Sequence, residues 1–178
     1  MPEVYVAAGS NIAPERHLGC AVAELAREFA DVRFSPWYRN RAAGAAEAAA
    51  AASVAGAVST ARPEDLEFIN LVAGFTTALP VRAVQARLRA IEGRCGRARA
   101  VNPPSPPVLD LDLLLYGDLV CAEPDLTVPR PELLTRAYML GPLAALAPYA
   151  IHPTARLPIG ELWRRFDRAA HPLERLPS

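Results

Sequence analysis

The chain of 178 residues is 52% hydrophobic and 21% charged, which is enough to bury one substantial core and too little to expect two. Its 19 basic residues balance its 19 acidic residues, so no excess charge favours a nucleic acid or an anionic membrane as the main partner. Because every basic residue is an arginine, lysine chemistry is excluded, and phosphate binding falls to guanidinium groups and metal ions. A small-molecule ligand fits this composition best.

The cysteines Cys20, Cys95 and Cys121 are widely spaced and form no CxxC pair. This odd and scattered set predicts reduced thiols rather than a disulfide framework or a zinc site. No basic segment followed by a long apolar run opens the chain, and no stretch reaches the roughly 18 apolar residues that a membrane span needs. The sequence therefore predicts a cytoplasmic protein.

Strand and helix signals alternate along the chain. Pro14 and Pro80, each suited to a first helical turn, precede apolar residues at helical spacing, and Gly96 marks a helix end. The predicted elements are strands at 4–8, 32–39, 68–79 and 108–116, helices from 14 and from 80, and later helices near 132–146 and 159–166. This order predicts a single α+β domain over residues 1–178, with a ferredoxin-like βαββαβ core and C-terminal helical additions.

Residues 42–67 interrupt the pattern with a segment that is mostly alanine. Its composition would allow a helix, but the segment lacks a stripe of large apolar residues and contains Gly44 and Gly56. We therefore interpret it as an inserted surface loop that is mobile and only transiently helical.

The stretch 109–115 reads LDLDLLL and is the most informative of the chain. Period-two geometry places the leucines at 109, 111, 113 and 115 on one face and both Asp110 and Asp112 on the other. The two carboxylates would lie about 7 Å apart along the strand and repel one another, which a hard divalent cation bound to phosphate relieves. A solvated strand face with two exposed aspartates is the alternative that the pattern leaves open.

Polar residues elsewhere could complete a phosphate site. Arg97 and Arg99 follow the second predicted helix in an alternating pattern that aims both guanidiniums the same way, although a solvated turn has the same pattern. Glu92 lies near the end of that helix, where a carboxylate is unfavourable for the helix dipole and indicates a cationic partner. The side-chain amide of Asn70 has a donor and an acceptor side by side, which suit the amide-like edge of a ligand. The alternative is that Asn70 forms hydrogen bonds only with neighbouring residues.

Several segments in register make the chain, from Val4 to about Pro148, resemble the 6-hydroxymethyl-7,8-dihydropterin pyrophosphokinases of folate biosynthesis. They are LDLDLLLYG at 109–117, AGSN at 8–11, FIN at 68–70, IE at 91–92 with GRAR at 96–99, LTVP at 126–129 and RAYML at 136–140. The resemblance implies a transferase of the kinase class that moves pyrophosphate from ATP to the pterin alcohol and releases AMP. It implies small-molecule substrates, with neither nucleic acid nor membrane as partner.

The resemblance also assigns roles to residues. Asp110 and Asp112 would hold two Mg²⁺ ions that bridge the ATP phosphates and the substrate oxygen. The implied catalytic residues are Asp110, Asp112 and Arg97, and we predict that Arg130, at a position where the family has another residue, joins them. The implied pterin-binding residues are Asn70, Phe68, Tyr138, Asn40 and Ala43, with Phe68 and Tyr138 stacked on the two faces of the ring. The implied ATP-binding residues are Glu92, Arg97, Arg99, Leu113, Thr127, Val128 and Arg136.

The chain departs from the family pattern before the LDLD strand. Residues 103–107 read PPSPP where the family has arginines and a tryptophan, so the loop should be stiffer and supply no cation. Arg130 replaces a histidine, Asn40-Arg41 replace Thr-Pro, and we expect Arg39, Arg41 or Arg130 to supply the missing charge.

Three hypotheses stay open: a working pyrophosphokinase, the same chemistry on a different pterin-like alcohol, and a relative that only binds nucleotide or a partner protein. The intact aspartates favour the first, and the oligomeric state is not determined.

Overall fold

The computed structural model describes residues 1–41, 67–96 and 108–177. The predicted alanine-rich loop, apart from Glu67, lies outside these residues, as does the proline-rich segment within 97–107. No helix in the described part of the chain is both long enough and apolar enough to cross a membrane.

The order of strands and helices follows the prediction closely. The elements are β1 Glu3–Ser10, α1 Pro14–Glu28, β2 Arg33–Phe34, β3 Tyr38–Arg41, β4 Glu67–Thr76, α2 Val81–Cys95, β5 Asp110–Tyr116, β6 Cys121–Glu123, β7 Leu126–Val128, a 3-10 helix Pro131–Leu134, α3 Ala137–Leu146, α4 Ile159–Arg165 and β8 Glu174–Arg175. The strand expected at 32–39 is divided into β2 and β3 around Pro36, which has no backbone N–H to donate to a ladder. The helix expected at 132–146 is divided because Arg136 has an extended backbone (φ −119°, ψ 114°).

One antiparallel sheet organises the domain. Its strand order is β5-β1-β4-β3-β8, and β2 also pairs with β4. All of these pairs are antiparallel, and β6 and β7 form a separate two-stranded ribbon. The predicted ferredoxin-like core is therefore confirmed, with β5 on one edge and β1 between β5 and β4.

Each face of the sheet packs against its own pair of helices. Alternate residues of β1, such as Val4 and Val6, join Leu18 of α1 and Leu88 of α2 in one buried cluster. The residues between them, such as Tyr5, join Leu140 and Leu143 of α3 in a second cluster on the opposite face. The C-terminal helices thus cover the face that a bare ferredoxin-like core would leave open.

The leucine alternation of β5 ends at a β-bulge. Val6 of β1 is opposite Leu113, but the preceding Tyr5 is opposite Leu115, so Leu114 is an extra residue in the ladder. Leu115 consequently lies with Leu114 in the α3 cluster rather than with Leu109 in the α1 and α2 cluster. The prediction that Leu115 shares a face with Leu109 was wrong, because a bulge reverses the alternation beyond it.

The prediction of three reduced thiols was also wrong. Cys20 of α1 and Cys95 of α2 form a disulfide across a sequence separation of 75, with their Cα atoms 5.6 Å apart. The two helices pack side by side on the sheet, which brings together cysteines whose spacing in the sequence gave no sign of pairing. Cys121, on β6, has a free thiol.

Removing the disulfide should destabilise the domain without altering its fold. A cross-link across a sequence separation of 75 restricts the unfolded chain, so we expect Cys20→Ser with Cys95→Ser to lower the free energy of unfolding by about 2–4 kcal/mol in urea. Wild type treated with a dithiol should lose a similar amount, and Cys121→Ser is the control. A double variant as stable as wild type would contradict the disulfide.

Candidate active site

The register of β1 with its two neighbouring strands brings the predicted site residues together. Gly9 of β1 is opposite Asn70 on β4 and opposite Asp110 on β5. Ala7, two residues earlier, is opposite Asp112. Since alternate residues share a face, Asn70 and both aspartates are on the side of the sheet that α3 covers.

A cavity of about 420 Å³ opens on this face. Phe68 of β4 and Tyr138 of α3 supply its aromatic lining. Asn70, only 5% exposed, donates from Nδ2 to Asn40 Oδ1 at 2.6 Å, and both amides line the cavity. The structure thus brings together all of the predicted pterin-binding residues except Ala43, which lies outside the described residues.

Gly9 and Ser10 line the same cavity but were not among the predicted site residues. A Cβ atom on Gly9 would lie 2.9 Å from Asn70 Oδ1, so only glycine leaves room for that amide. Ser10 donates from its hydroxyl to the carbonyl of Val108, which fixes the end of β1 to the chain entering β5. The turn-forming AGSN segment was the signal in the sequence, but its role depends on pairing between strands.

A second cavity, of about 440 Å³, lies beside the first. Its lining includes the predicted residues Glu92, Leu113, Thr127 and Arg130, together with Arg89, Asp125 and Glu132, which sequence reasoning missed. Two predicted ATP-binding residues lie elsewhere: Arg136 lines the first cavity, and Val128 is buried in the α1 and α2 cluster. Arg97 and Arg99 are outside the described residues.

Asp110 and Asp112 line both cavities. They lie on the edge strand between an aromatic cavity with three asparagine amides and a charged cavity with two arginines. A ligand in either cavity can therefore reach the same pair of carboxylates.

The second cavity has an excess of negative charge. Its lining contains five carboxylates and two guanidiniums. Burial and the nearby charge of Asp110 raise the pKa of Asp112 to about 6, with further raising by Glu132 and Glu92 and an opposing effect from Arg130. This arrangement raises the pH at which Asp112 ionises, and a cation bound beside it would lower that pH.

Glu92 and Arg130 both contact β5. Glu92 Oε1 accepts the backbone N–H of Leu111 at 2.8 Å, between the two aspartates. Arg130 Nη1 lies 3.0 Å from Asp112 Oδ1. The other two arginines considered as substitutes, Arg39 and Arg41, are on β3, which β1 and β4 separate from β5, and both pair with Glu67.

The donor set suits a divalent cation that shares its coordination with a substrate. Within 1–41, 67–96 and 108–177, no group of three or more histidine, cysteine, aspartate or glutamate side chains could hold a metal ion by itself. Magnesium in phosphoryl-transfer sites is commonly held by one or two carboxylates plus substrate phosphates. The adjacent Asp110 and Asp112 and the raised pKa of Asp112 fit that type of site.

Comparison with known proteins agrees with this geometry. A family model described as 7,8-dihydro-6-hydroxymethylpterin-pyrophosphokinase (HPPK) matches residues 5–148. The chain belongs to the HPPK family. Among its HPPK relatives, the 2-amino-4-hydroxy-6-hydroxymethyldihydropteridine pyrophosphokinase of Synechocystis is 33% identical over 168 residues, which are 93% of this chain and 76% of the relative. The protein of the same name from Pseudomonas aeruginosa is 34% identical over 160 residues, 88% of this chain and 85% of the relative.

Solved structures of HPPK proteins share the fold. The crystal structure of Plasmodium falciparum HPPK-DHPS wild type matches with a TM-score of 0.66 at 11% identity over 92% of this chain. At that identity the likeness concerns the fold alone. The chain spans only 44% of the length of the Plasmodium protein.

The pKa of Asp112 predicts a pH-dependent stability. Its folded value of about 6 exceeds the ordinary 3.8, so the folded protein binds the proton more tightly than the unfolded chain and loses stability as the pH rises between these values. In metal-free buffer above that range, Asp112→Asn should therefore be more stable than wild type by up to about 3 kcal/mol, at about 1.4 kcal/mol per pKa unit.

Urea denaturation across this pH range measures the effect. The difference between Asp112→Asn and wild type should disappear near pH 3.8. Asp118→Asn, at an exposed aspartate just after β5, is the control. Parallel stability profiles for wild type and Asp112→Asn would contradict the raised pKa.

Proposed function

We propose that this member of the HPPK family transfers pyrophosphate from ATP to 6-hydroxymethyl-7,8-dihydropterin, in folate biosynthesis, and releases AMP. The observation that carries the proposal is the position of Asp110 and Asp112 between two cavities, one with an aromatic and amide lining and one with a charged lining. The relatives from Synechocystis and Pseudomonas aeruginosa are named as enzymes of this activity.

The first cavity suits the pterin. Phe68 and Tyr138 offer two aromatic surfaces to a flat heterocycle, and offset stacking favours such a ligand. Asn70 and Asn40 offer amide donors and acceptors to the polar edge of the ring. Stacking provides affinity, and the amides provide orientation.

The second cavity suits ATP. Leu113 and Thr127 line it where the adenine would be bound. Arg130 and Glu92 lie next to β5, the strand that carries Asp110 and Asp112. Arg136 lines the neighbouring cavity with both aspartates, so it lies on the side from which the pterin alcohol would approach. Arg97 and Arg99 stay predicted phosphate ligands.

In the proposed reaction the pterin hydroxyl oxygen bonds to the β-phosphorus of ATP. The bond from that phosphorus to the oxygen shared with the α-phosphate breaks, AMP leaves with the electron pair of that bond, and the hydroxyl proton passes to solvent. Asp110 and Asp112 would hold two Mg²⁺ ions, which when bound supply positive charge to the phosphates. The residues themselves orient the two substrates and compensate charge, with no covalent intermediate on the protein.

The amide pair also favours a second candidate, the same transfer to a different pterin-like alcohol. Asn40 occupies a cavity position where the family resemblance implies threonine, and its Oδ1 accepts a hydrogen bond from Asn70. An additional amide changes the hydrogen bonds offered to the ring edge. Affinity measured for a series of hydroxymethylpterins would distinguish the two candidates.

We further propose that the protein acts on its small-molecule substrates in the cytoplasm. ATP as donor supports that compartment, whereas a disulfide such as Cys20–Cys95 is unusual in one that keeps thiols reduced. Trapping free thiols at the moment of cell lysis and counting them by mass spectrometry tests the location and the oxidation state of this pair together.

Chromatographic detection of AMP tests the function directly. Wild type with ATP, Mg²⁺ and 6-hydroxymethyl-7,8-dihydropterin should release AMP, and Asp112→Asn should lower kcat/KM by at least about 100-fold because the cation loses a ligand. Asp118→Asn should keep wild-type activity. A wild type that releases no AMP with any hydroxymethylpterin would favour a protein that only binds nucleotide or a partner.

Gly9→Ala should weaken pterin binding more than it affects the fold. The new methyl group would lie 2.9 Å from Asn70 Oδ1, so the amide must rotate away from its contact with Asn40. We expect the dissociation constant for the pterin to rise about tenfold by calorimetry, equal to the loss of about one hydrogen bond.

The matched control is Gly19→Ala in α1, where a new Cβ atom meets nothing within 4 Å. This change should leave pterin affinity unaltered and raise the free energy of unfolding slightly, because alanine favours a helix over glycine. Unchanged pterin affinity in Gly9→Ala would remove Asn70 from the pterin site.

A further inference from the structure

Arg130 lies directly against one of the two carboxylates assigned to the metal. Its Nη1 is 3.0 Å from Asp112 Oδ1, and its Nε is 3.4 Å from Glu132 Oε2. The side chains of Arg130 and Asp112 are 35% and 18% exposed, so solvent ions screen their attraction less than at an open surface. The guanidinium therefore compensates charge that a divalent cation would otherwise compensate.

The side chain of Arg130 can leave Asp112 without moving the backbone. The backbone N–H of Arg130 donates to the carbonyl of Leu114 at 2.9 Å, which fixes this residue to the edge strand close to Asp112. Rotation about the side-chain bonds is enough to carry the guanidinium from the carboxylate into the second cavity, whose lining includes both residues.

One donor of Arg130 is buried without a hydrogen-bond partner among the described residues. This donor is Nε, whose geometry to Glu132 is that of an ion pair only. A guanidinium offers five N–H donors and binds planar or tetrahedral oxyanions through more than one of them. A phosphate oxygen in the second cavity would supply the missing acceptor.

We propose that Arg130 competes with the divalent cation for Asp112 in the nucleotide-free protein, and that it moves to a phosphate oxygen when nucleotide and cation bind together. This rests on the proposed function, because it takes Asp110 and Asp112 as the metal-binding residues. The free protein then binds the cation weakly, and each ligand strengthens the binding of the other by the same factor. Arg130 thereby makes cation binding depend on the nucleotide.

The test uses Mn²⁺ as the probe, with free Mn²⁺ measured by electron paramagnetic resonance at constant ionic strength. Arg130→Gln should bind Mn²⁺ about three- to tenfold more tightly than wild type, the range expected for removing a partly exposed ion pair. Arg89→Gln is the matched control, because it removes the same charge from the same cavity at a residue that acts on Asp125. Its Mn²⁺ affinity should stay within about twofold of wild type.

A second measurement adds a non-hydrolysable ATP analogue. In wild type the analogue should strengthen Mn²⁺ binding by a larger factor than in Arg130→Gln, because only wild type gains the contact from Arg130 to phosphate. Arg130→Lys keeps the charge and should bind Mn²⁺ nearly as wild type does in the absence of analogue. Circular dichroism of each variant checks that the fold is kept.

Equal Mn²⁺ affinity in Arg130→Gln and wild type, including no binding by either, overturns the proposal, as does an equal gain in Arg89→Gln. Asp112→Asn separates this failure from failure of the proposed function. If Asp112→Asn loses Mn²⁺ binding while Arg130→Gln gains none, the competition alone is wrong. If Asp112→Asn binds Mn²⁺ as wild type does, the metal site of the proposed function fails as well.

Discussion

The pairing of β1 with strands on both of its sides is the constraint on which the site depends. Gly9 is opposite Asn70 in one ladder and opposite Asp110 in the other, so a single strand position fixes the amide of one cavity relative to the carboxylates between the cavities. A shift of register by one residue would turn these side chains to the opposite face. The buried residues on both faces of β1 oppose such a shift, because each would move into the wrong cluster.

The negative charge around β5 lowers the stability of the folded domain. Burial, together with the nearby charges of Asp110, Glu132 and Glu92, raises the pKa of Asp112 to about 6. The fold tolerates them because β5 is an edge strand, where Glu92 accepts the N–H of Leu111 and Arg130 pairs with Asp112. Strongly perturbed carboxylates in a cleft are typical of sites that bind a charged ligand.

The helices beneath the site hold Glu92 in position. Cys95, one turn beyond Glu92 in α2, is bonded to Cys20 of α1. His17 Nδ1 lies 2.6 Å from the carbonyl oxygen of Cys95, which can only accept, so Nδ1 is the donor. The end of α2 is thus joined to α1 by a covalent bond and a hydrogen bond, which together hold Glu92 against β5.

The sequence by itself determined the order of elements and the family resemblance. It also determined that Asp110 and Asp112 lie on the other face of the sheet from Leu109 and Leu111, because period-two alternation is a local property of a strand. Tertiary structure decided the rest. The disulfide joins cysteines 75 residues apart, the bulge at Leu114 places Leu115 on the other face, and Arg130 reaches Asp112 only because its backbone pairs with the edge strand. Periodicity reports which face a residue takes, whereas contacts between distant segments depend on how strands and helices pack.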